Sequence, residues 1–471
     1  MEVTKILSEF AINPSFNFMT ANLAESIIEK FIDTIGITIA GADSPASKII
    51  RESVMNDGCI GGASIIGTSE RNSIIHAGFI NGVSAHALEY DDLTPDITHL
   101  SSSLVPGCLA VSESLDSTGK QLVESFAIGF EIAGRISLGM KSLAMLDRGF
   151  HTPGMIGGLG VTIASSRLMG LDSMAMRMAI GLMSSSGVGI RKNVGSAGKA
   201  FHIGNGVRAG LQASTLARYG YEVDPDAIEG INEGHGHQRF GLLESYAGNG
   251  NYNLSKIIEG LGGEFILTQI PTMVRMHPCS TVICVAIDGI IELTNKYNLQ
   301  DSDVDTIDVF CHPRLLMIAP YSEPVDSYRA KFCPAYVIAA ALIEKEIGLA
   351  QFKNESLNNQ RILALMKRIK MIARNDIKED HGWCNGRDNW CSVTLKIKKN
   401  DGVVISEHFS QAKGWPVRPV SWDDLRMKFE ECTEGVLSKI QIQTSISMIR
   451  DLPELKSTRE LIAQFVTKNN K

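Results

Sequence analysis

Long uninterrupted apolar runs are absent from this chain of 471 residues. No run reaches the about 18 consecutive apolar residues that mark a membrane-spanning helix, so we expect no transmembrane segment. Residues Met1 to Lys5 do not start the basic and apolar pattern of a secretory signal, and no Arg-rich transit peptide is apparent. These absences predict a cytoplasmic protein that does not act within a membrane.

Paired cysteine motifs are missing too. The nine cysteines are odd in number and scattered, and no C-x-x-C occurs. A disulfide framework is therefore not expected, and a reducing compartment suits the pattern better. His381, Cys384 and Cys391 match no standard zinc spacing, and His235 and His237 flank a flexible glycine without a third ligand, so we expect no metal at either place.

Complete nucleotide-binding and serine-hydrolase motifs are also lacking. Residues 154–160 are rich in glycine, but no strand pattern precedes them and they lack the G-x-G-x-x-G spacing. Gly198-Lys199 resembles the end of a P-loop, yet Asn193 and Ala200 stand where that motif needs a glycine and a hydroxyl. No G-x-S-x-G occurs. We therefore expect no nucleotide cofactor and no serine nucleophile of the usual kind.

The charge balance and the apolar content limit the class of protein. A net charge of −7 argues against a nucleic-acid surface. Hydrophobic residues make up 44% of the chain, which is ample for a large core. Because the chain is too long for one core of ordinary size, two domains are expected.

The pattern of apolar residues changes along the chain. Up to about residue 265 it has helical spacing, as in Ile27, Phe31 and Ile35. Strand-like segments then follow at 304–311 and 369–373, and a hairpin is predicted over 393–409 around Asn400-Asp401-Gly402. The helix between these strands is predicted over 334–349. We therefore predict a mainly α protein, with a large all-helical domain (1–270 plus 418–471) and an inserted smaller α+β lid domain (271–417).

The segment from His86 to Asp92, followed by His99, is the most informative stretch. Glu89, Asp91 and Asp92 lie near the predicted C-terminus of a helix, where the helix dipole already disfavours negative charge. Acids placed at that cost indicate a polar site. The alternative is an exposed helix end in solvent.

Further polar residues lie in Gly- and Pro-bounded turns with apolar surroundings. His151 lies within residues 149–154, Lys199 and His202 lie within 198–204, and Arg275 and His277 lie near the predicted domain junction. Lone histidines are more often structural, but this shared placement favours a functional site. Cations pair with carboxylates and a neutral imidazole takes up a proton, so the set suits a small polycarboxylate.

These segments resemble the MmgE/PrpD family, which includes 2-methylcitrate dehydratase, cis-aconitate decarboxylase and iminodisuccinate epimerase. The likeness covers nearly the whole chain and is carried by five motifs in order. The motifs are His86–Asp92 with His99, Gly149–Gly154, Gly198–Asn205, His277–Cys279 and Ala330–Tyr336.

The resemblance implies a helical domain with an α+β lid, an active site between them, a homodimer, and no metal or organic cofactor. It implies four catalytic residues and a wider set that binds substrate. The catalytic residues would be His99, His151, Lys199 and Asp91, and the substrate-binding residues would be Asp92, Thr94, His202, Arg275, His277 and Tyr321.

The implied activity is proton transfer at a carbon next to a carboxylate, in a lyase that dehydrates or decarboxylates a small di- or tricarboxylate. An isomerase or epimerase of an amino- or imino-dicarboxylate, or a non-catalytic ligand-binding member of the fold, are the alternatives. The chain departs from the family pattern at a few positions, which leaves the substrate open. These positions are Glu89 for Asp, Leu93 for Thr, Leu100 for Pro and Cys284 for His.

Overall fold

The structure is a computed structural model that describes residues 1–14, 18–56, 61–187, 189–231, 239–377 and 387–467. It is mainly α, as the sequence predicts. The chain forms two compact units, Met1–Pro271 with Trp422–Lys471, and Thr272–Ser421. The predicted domains, 1–270 plus 418–471 and 271–417, stay a prediction.

Helices make up most of the first unit. One helix has a side-chain cap at its start, because the carboxylate of Asp172 accepts a hydrogen bond from the backbone N–H of Ala175 at 2.8 Å. The helices before the second unit are α1 (Val3–Ile12), α2 (Ala21–Gly41), α3 (Pro45–Met55), α4 (Ile74–His86), α5 (Ser101–Leu115), α6 (Gly119–Gly139), α7 (Ser142–Asp147), α8 (Thr152–Leu168), α9 (Ser173–Ser184), α10 (Ala197–Arg218), α11 (Leu242–Ala247), α12 (Leu254–Ile258) and α13 (Ile266–Gln269).

Two small antiparallel strand pairs lie among these helices. β1 (Ala63–Ser64) pairs with β2 (Arg71–Asn72), and β3 (Gly230–Ile231) pairs with β4 (Arg239–Phe240). Each strand has two residues, which is too short to produce the alternating pattern that reveals a strand in sequence.

Small residues let α4, α8 and α10 pack closely. A Cβ atom at Gly206 of α10 would lie 2.2 Å from the carbonyl oxygen of Gly154 in α8, so a larger residue would push the two helices apart. The glycine-rich stretch of α8 therefore allows close helix packing. It brings the N-terminal ends of α8 and α10 together with the C-terminal end of α4.

The second unit contains a four-stranded sheet within its described residues. Its strands are β5 (Val304–Cys311), β6 (Ile369–Ala373), β7 (Val393–Lys399) and β8 (Val404–Phe409), in the spatial order β6-β5-β7-β8. β5 and β6 are parallel, and the other two pairings are antiparallel. All four predicted strands are confirmed, and Gly402, with φ +86°, lies in the predicted hairpin turn.

One predicted helix of the second unit is shorter than expected. The helix that begins at Pro334 ends at Glu344 instead of Leu349, because Lys345 adopts a left-handed conformation with φ +60°. The helices of this unit are α14 (Cys284–Tyr297), α15 (Pro313–Ile318), α16 (Ser327–Ala330), α17 (Pro334–Glu344), α18 (Asn354–Leu357) and α19 (Gln360–Met366).

The chain then returns to the first unit through α20 (Trp422–Thr433), α21 (Lys439–Arg450) and α22 (Thr458–Ile462). α20 packs against α2. Across the described residues, no helix combines the length and apolar character needed to cross a membrane. Short 3-10 turns complete the helical structure at Arg191–Asn193, Thr281–Ile283, Asp301–Asp303, Ala350–Phe352, Leu452–Glu454 and Ala463–Phe465.

Candidate active site

The acidic segment, from His86 to Asp92, forms a buried turn after α4. The helix ends at His86, and Glu89 adopts a left-handed conformation with φ +55°, which is uncommon for a residue with a Cβ atom. Glu89, Asp91 and Asp92 are 4%, 0% and 1% exposed. The alternative of a solvated helix end is therefore wrong, and the three acids lie inside the first unit.

Asp91 connects two imidazole rings. Its Oδ2 atom lies 2.8 Å from Nδ1 of His86 and 3.2 Å from Nδ1 of His99. The two rings meet edge to face, with their centroids 5.0 Å apart. One carboxylate thus orients two potential proton carriers from different segments of the chain.

His86 is a neutral imidazole in this arrangement. Burial lowers its pKa to about 4, and Asp91 only partly offsets that effect. A neutral ring carries one proton, which Nδ1 needs in order to donate to Asp91. Nε2 is then an acceptor, and it has no hydrogen-bond partner among the described residues.

His99 is held by the turn itself. Its Nδ1 atom lies 2.6 Å from the backbone carbonyl oxygen of Asp92, and since a carbonyl can only accept, this nitrogen carries a proton. The Asp92 side chain accepts from the hydroxyl of Ser101 at 2.6 Å and lies 3.7 Å from Nζ of Lys30. Nε2 of His99 is the ring nitrogen left for chemistry.

A second pair of imidazoles lies at the ends of α8 and α10. Nδ1 of His151, the N-cap residue of α8, lies 3.1 Å from Nδ1 of His202. Lys199 is one turn before His202 on α10, and its Nζ lies 2.6 and 2.5 Å from the two carboxylate oxygens of Glu89. The rings of His151 and His86 have centroids 6.4 Å apart, so both imidazole pairs belong to one cluster.

The surroundings of this second pair disfavour the charged imidazolium. Burial, followed by the positive charge of Lys199, lowers the pKa of His151 well below its ordinary value. The same two causes lower the pKa of His202. Neutral imidazoles beside a lysine ammonium accept a proton from a carbon acid while the ammonium binds a carboxylate.

A buried layer of charge lies next to the acidic turn, and sequence reasoning missed it. Nζ of Lys428, on α20, donates to the carbonyl oxygen of Tyr90 at 2.9 Å and lies 2.6 Å from Oδ1 of Asp33, on α2. The Tyr90 hydroxyl donates to Glu431 at 3.0 Å. The sequence signal that could have revealed this layer is a lysine or aspartate within a stripe of buried apolar residues. Asp33 lies near the buried Phe31 in this way, and Lys428 lies next to the buried Phe429.

Thr94 also lies in the buried turn, where its N–H donates to the carbonyl oxygen of Thr98 at 3.1 Å. The structure therefore gathers most of the predicted site within the first unit. Gathered there are His99, His151, Lys199, Asp91, Asp92, Thr94 and His202, together with His86, which was not predicted as a site residue.

Three predicted substrate-binding residues belong to the second unit. Arg275 is 1% exposed and donates to the carbonyl oxygen of Cys279 at 3.2 Å. Both ring nitrogens of His277 are used, at 3.0 Å from the carbonyl oxygen of Ile347 and 2.8 Å from Asp288. Burial alone would lower the pKa of His277, but its contacts with Asp288 outweigh burial and raise it.

The third of these residues, Tyr321, is partly exposed, and its ring centroid lies 5.8 Å from the Arg329 guanidinium. Contact of these three residues with substrate stays a prediction.

The donor atoms of His86, Asp91 and His99 lie within 4.8 Å of one another, which is close enough to surround a metal ion. However, Nδ1 of His99 donates to a carbonyl oxygen and is thus protonated on the side that faces Asp91. The donor set fits a hydrogen-bonded acid–base cluster better than a metal site. The histidines considered at 235, 237 and 381, and Cys384, lie outside the described residues.

Comparison with known proteins agrees with these features. The MmgE/PrpD N-terminal domain matches residues 5–241, and the MmgE/PrpD C-terminal domain matches residues 277–454. Cis-aconitate decarboxylase of Mus musculus is 24% identical over 391 residues, covering 81% of this chain and 76% of that protein. The Homo sapiens enzyme is 24% identical over 392 residues, covering 81% and 77%. Cis-aconitate decarboxylase of Aspergillus terreus is 22% identical over 482 aligned positions, covering 98% and 95%. Because the two matched domains span most of its length, the chain belongs to the MmgE/PrpD family.

Proposed function

We propose that this protein is a cofactor-independent lyase that dehydrates or decarboxylates a small di- or tricarboxylate. The observation that carries the proposal is the cluster of the partly exposed His99 beside Asp91, the buried His151, and the buried Lys199 beside Glu89. It combines proton acceptors with a cation, which are the groups needed for proton transfer at a carbon next to a carboxylate. The relatives named cis-aconitate decarboxylase support the same class of reaction.

In the proposed reaction, His99 and His151 move protons and Lys199 stabilises a carboxylate or the enolate that develops beside it. Asp91 orients His99 through Nδ1, so that Nε2 of this ring faces the chemistry. Asp92 and Thr94 hold the turn, and Asp92 does so through Ser101. Lys199 is paired with Glu89 in the structure, so a substrate carboxylate must compete with Glu89 for this cation.

An epimerase of an amino- or imino-dicarboxylate is the second candidate. Its supporting observation is that the two proposed proton carriers lie on separate segments, His99 before α5 and His151 before α8. Two carriers allow a proton to leave one face of a carbon and return to the other. A non-catalytic ligand-binding member of the fold would use the same residues without turnover.

Proton NMR in D₂O separates these candidates. The purified protein would be incubated with cis-aconitate, 2-methylcitrate, citrate, malate, tartrate and aspartate-derived imines. Formation of a new alkene, or loss of CO₂, supports the lyase. Deuterium uptake without an alkene supports the epimerase, and thermal stabilisation by a polycarboxylate without either reaction supports the ligand-binding alternative.

Loss of the central groups is expected to abolish turnover. His99→Ala removes a proton carrier, and Lys199→Ala removes the cation, so each should lower kcat/KM by at least about 100-fold. His408→Ala and Lys439→Ala, at exposed positions, are the matched controls and should retain activity. Circular dichroism checks the fold of all four variants. Near-wild-type kcat/KM in both His99→Ala and Lys199→Ala would remove the assignment.

We also propose a cytoplasmic homodimer, in which the dimer rests on the family resemblance and the location rests on the cysteine pattern and the absence of an apparent targeting segment. Sedimentation velocity tests the oligomeric state, and a single species with the mass of one chain would contradict the dimer. Imaging of the tagged protein in its own cell tests the location.

A further inference from the structure

The contact between His151 and His202 has an unusual geometry. The two Nδ1 atoms face each other at 3.1 Å, within hydrogen-bond distance, and the ring centroids are 5.1 Å apart. The two residues are 5% and 3% exposed. A hydrogen bond between two ring nitrogens requires a proton on one and a lone pair on the other.

This requirement couples the other nitrogens of the two rings. If Nδ1 of His151 donates, its Nε2 is a bare acceptor and can act as a base. If Nδ1 of His202 donates instead, Nε2 of His151 carries a proton and can act as an acid. Uptake of a proton at Nε2 of His151, together with movement of its Nδ1 proton across the 3.1 Å contact to His202, therefore changes His151 from a base to an acid.

We propose that His202 is the proton-relay partner of His151 in the reaction. The relay rests on the proposed function and extends it by one residue. When the substrate C–H bond breaks, its proton joins Nε2 of His151, and the electron pair stays on the carbon as an enolate. At the same time the Nδ1 proton of His151 moves to Nδ1 of His202, whose ring becomes the imidazolium. The reverse sequence, which begins with His202 as the imidazolium, delivers a proton to a carbanion, as decarboxylation requires.

The relay places positive charge where the protein tolerates it better. An imidazolium at His151 would be buried beside the charge of Lys199, and these two causes hold the pKa of His151 well below its ordinary value. Burial and Lys199 also lower the pKa of His202, but by less. Passing the proton to His202 keeps His151 neutral throughout.

The loop before α10 fixes the ring of His202. Gly189, with φ +100°, packs so tightly that a Cβ atom there would lie 2.4 Å from Cγ and Cδ2 of His202. The carbonyl oxygen of Gly189 also accepts from the backbone N–H of His151 at 3.2 Å. One glycine thus contacts both partners, which holds the two Nδ1 atoms face to face.

A relay differs from the substrate-binding role that the sequence predicts for His202. His202→Asn leaves a polar side chain beside His151 but removes the group that takes up the proton. We expect kcat to fall by at least about 100-fold, with KM changed by less than about threefold. A rise in KM with unchanged kcat would overturn the relay and favour substrate binding. His76→Asn, at a histidine outside the cluster, is the matched control.

The number of protons that move in the chemical step is a readout that a purely structural role of His202 would not change. In mixtures of H₂O and D₂O, the wild-type kcat should depend on the deuterium fraction along a curve, because two protons move together. The dependence should become linear in His202→Asn. A linear dependence in the wild-type protein, with the chemical step limiting, would overturn concerted transfer.

Nitrogen-15 NMR of histidine-labelled protein tests the shared proton without a variant or a substrate. Near neutral pH we expect both rings to be neutral, with one Nδ1 protonated and the other bare. Two rings protonated only at Nε2, or a charged His151, would overturn the relay. If the wild-type protein converts none of the carboxylates in the panel, the proposed function fails, and the relay then stands or falls on this spectrum alone.

Discussion

Two buried imidazoles, His86 and His151, make the stability of the fold sensitive to acid. Burial lowers the pKa of both, so the folded protein resists a proton that the unfolded chain accepts. Below the ordinary histidine pKa of 6.5, the unfolded state binds more protons, and the free energy of unfolding must fall as the pH falls. The free energy of unfolding is therefore free of this loss from His86 and His151 only above pH 6.5.

For His86 this effect has a defined window. Between pH 6.5 and about 4, the free energy of unfolding should fall by about 1.4 kcal/mol per pH unit from this residue alone. Urea unfolding of wild type and His86→Gln at several pH values isolates the contribution, because the other titrating groups are shared. The difference between the two proteins should change with pH inside the window and be constant above it. A difference that is constant throughout would mean that His86 is not buried as a neutral ring.

Which single residues meet was only partly predictable from sequence. The spacing of His99 and Asp92 allows their contact, because both lie in one short loop. The contact between Lys199 and Glu89 joins residues 110 positions apart, and it depends on how closely α10 packs against α4. His86 was not predicted as a site residue, because a histidine at the end of an apolar helix resembles a core residue in sequence. Only its contact with Asp91 in the structure identifies it as part of the site.

The element that stabilises the acidic turn comes from the far end of the chain. Lys428 of α20 contacts Asp33 of α2, lies 4.0 Å from the ring centroid of Tyr90, and is 3% exposed. Burial raises the pKa of Asp33, and Lys428 opposes that shift without cancelling it. This pair therefore forms a buried ionic contact whose partners depend on each other.

Removal of Lys428 alone should lower the free energy of unfolding more than removal of both Lys428 and Asp33. Lys428→Met leaves Asp33 buried near Asp92 without its lysine and should lower the free energy of unfolding by about 3–5 kcal/mol. Adding Asp33→Asn should recover at least about half of that loss. Lys439→Met, on the exposed side of α21, should change it by less than about 0.5 kcal/mol. Urea denaturation of the wild type, the three variants above and the Asp33→Asn single variant gives the free energies of unfolding, and simple additivity of the Lys428→Met and Asp33→Asn losses would contradict the coupling.

Elements with strong periodicity were predictable, and elements defined by tertiary contacts were not. β5 and β6 match their predicted bounds because their residues have strand propensity and lie beside clear boundaries. The end of α17 was not predictable, since Lys345 has no residue-type preference for the left-handed conformation it adopts. β1 to β4 pair over two residues each, which leaves no pattern to detect.

At the scale of the whole molecule, the first unit is assembled from two segments that are separated by the second unit. The Tyr90 hydroxyl and its acceptor on Glu431 are 341 positions apart. No local pattern specifies such a pairing, because it requires the return of α20 to α2 after 150 intervening residues fold as their own unit. The helical character of these two segments and the α+β character of the intervening unit were predictable from sequence, and the packing of the two helical segments against each other was not.

The molecule is expected to work with its own side chains alone. In the cluster around Asp91, the Nδ1 atoms of His86 and His99 are used for hydrogen bonds, and the proton on Nδ1 of His99 occupies the side of the ring that a metal ligand beside Asp91 would need to leave bare. After prolonged dialysis against a chelator, kcat/KM should stay within about twofold of the untreated value. The thermal unfolding temperature should also be unchanged, since no ion bound to the folded state is being removed. Loss of activity that returns with Zn²⁺, Mg²⁺ or Fe²⁺ would show that His86, Asp91 and His99 exchange their protons for a metal, and the reaction would then need a different assignment of acid and base.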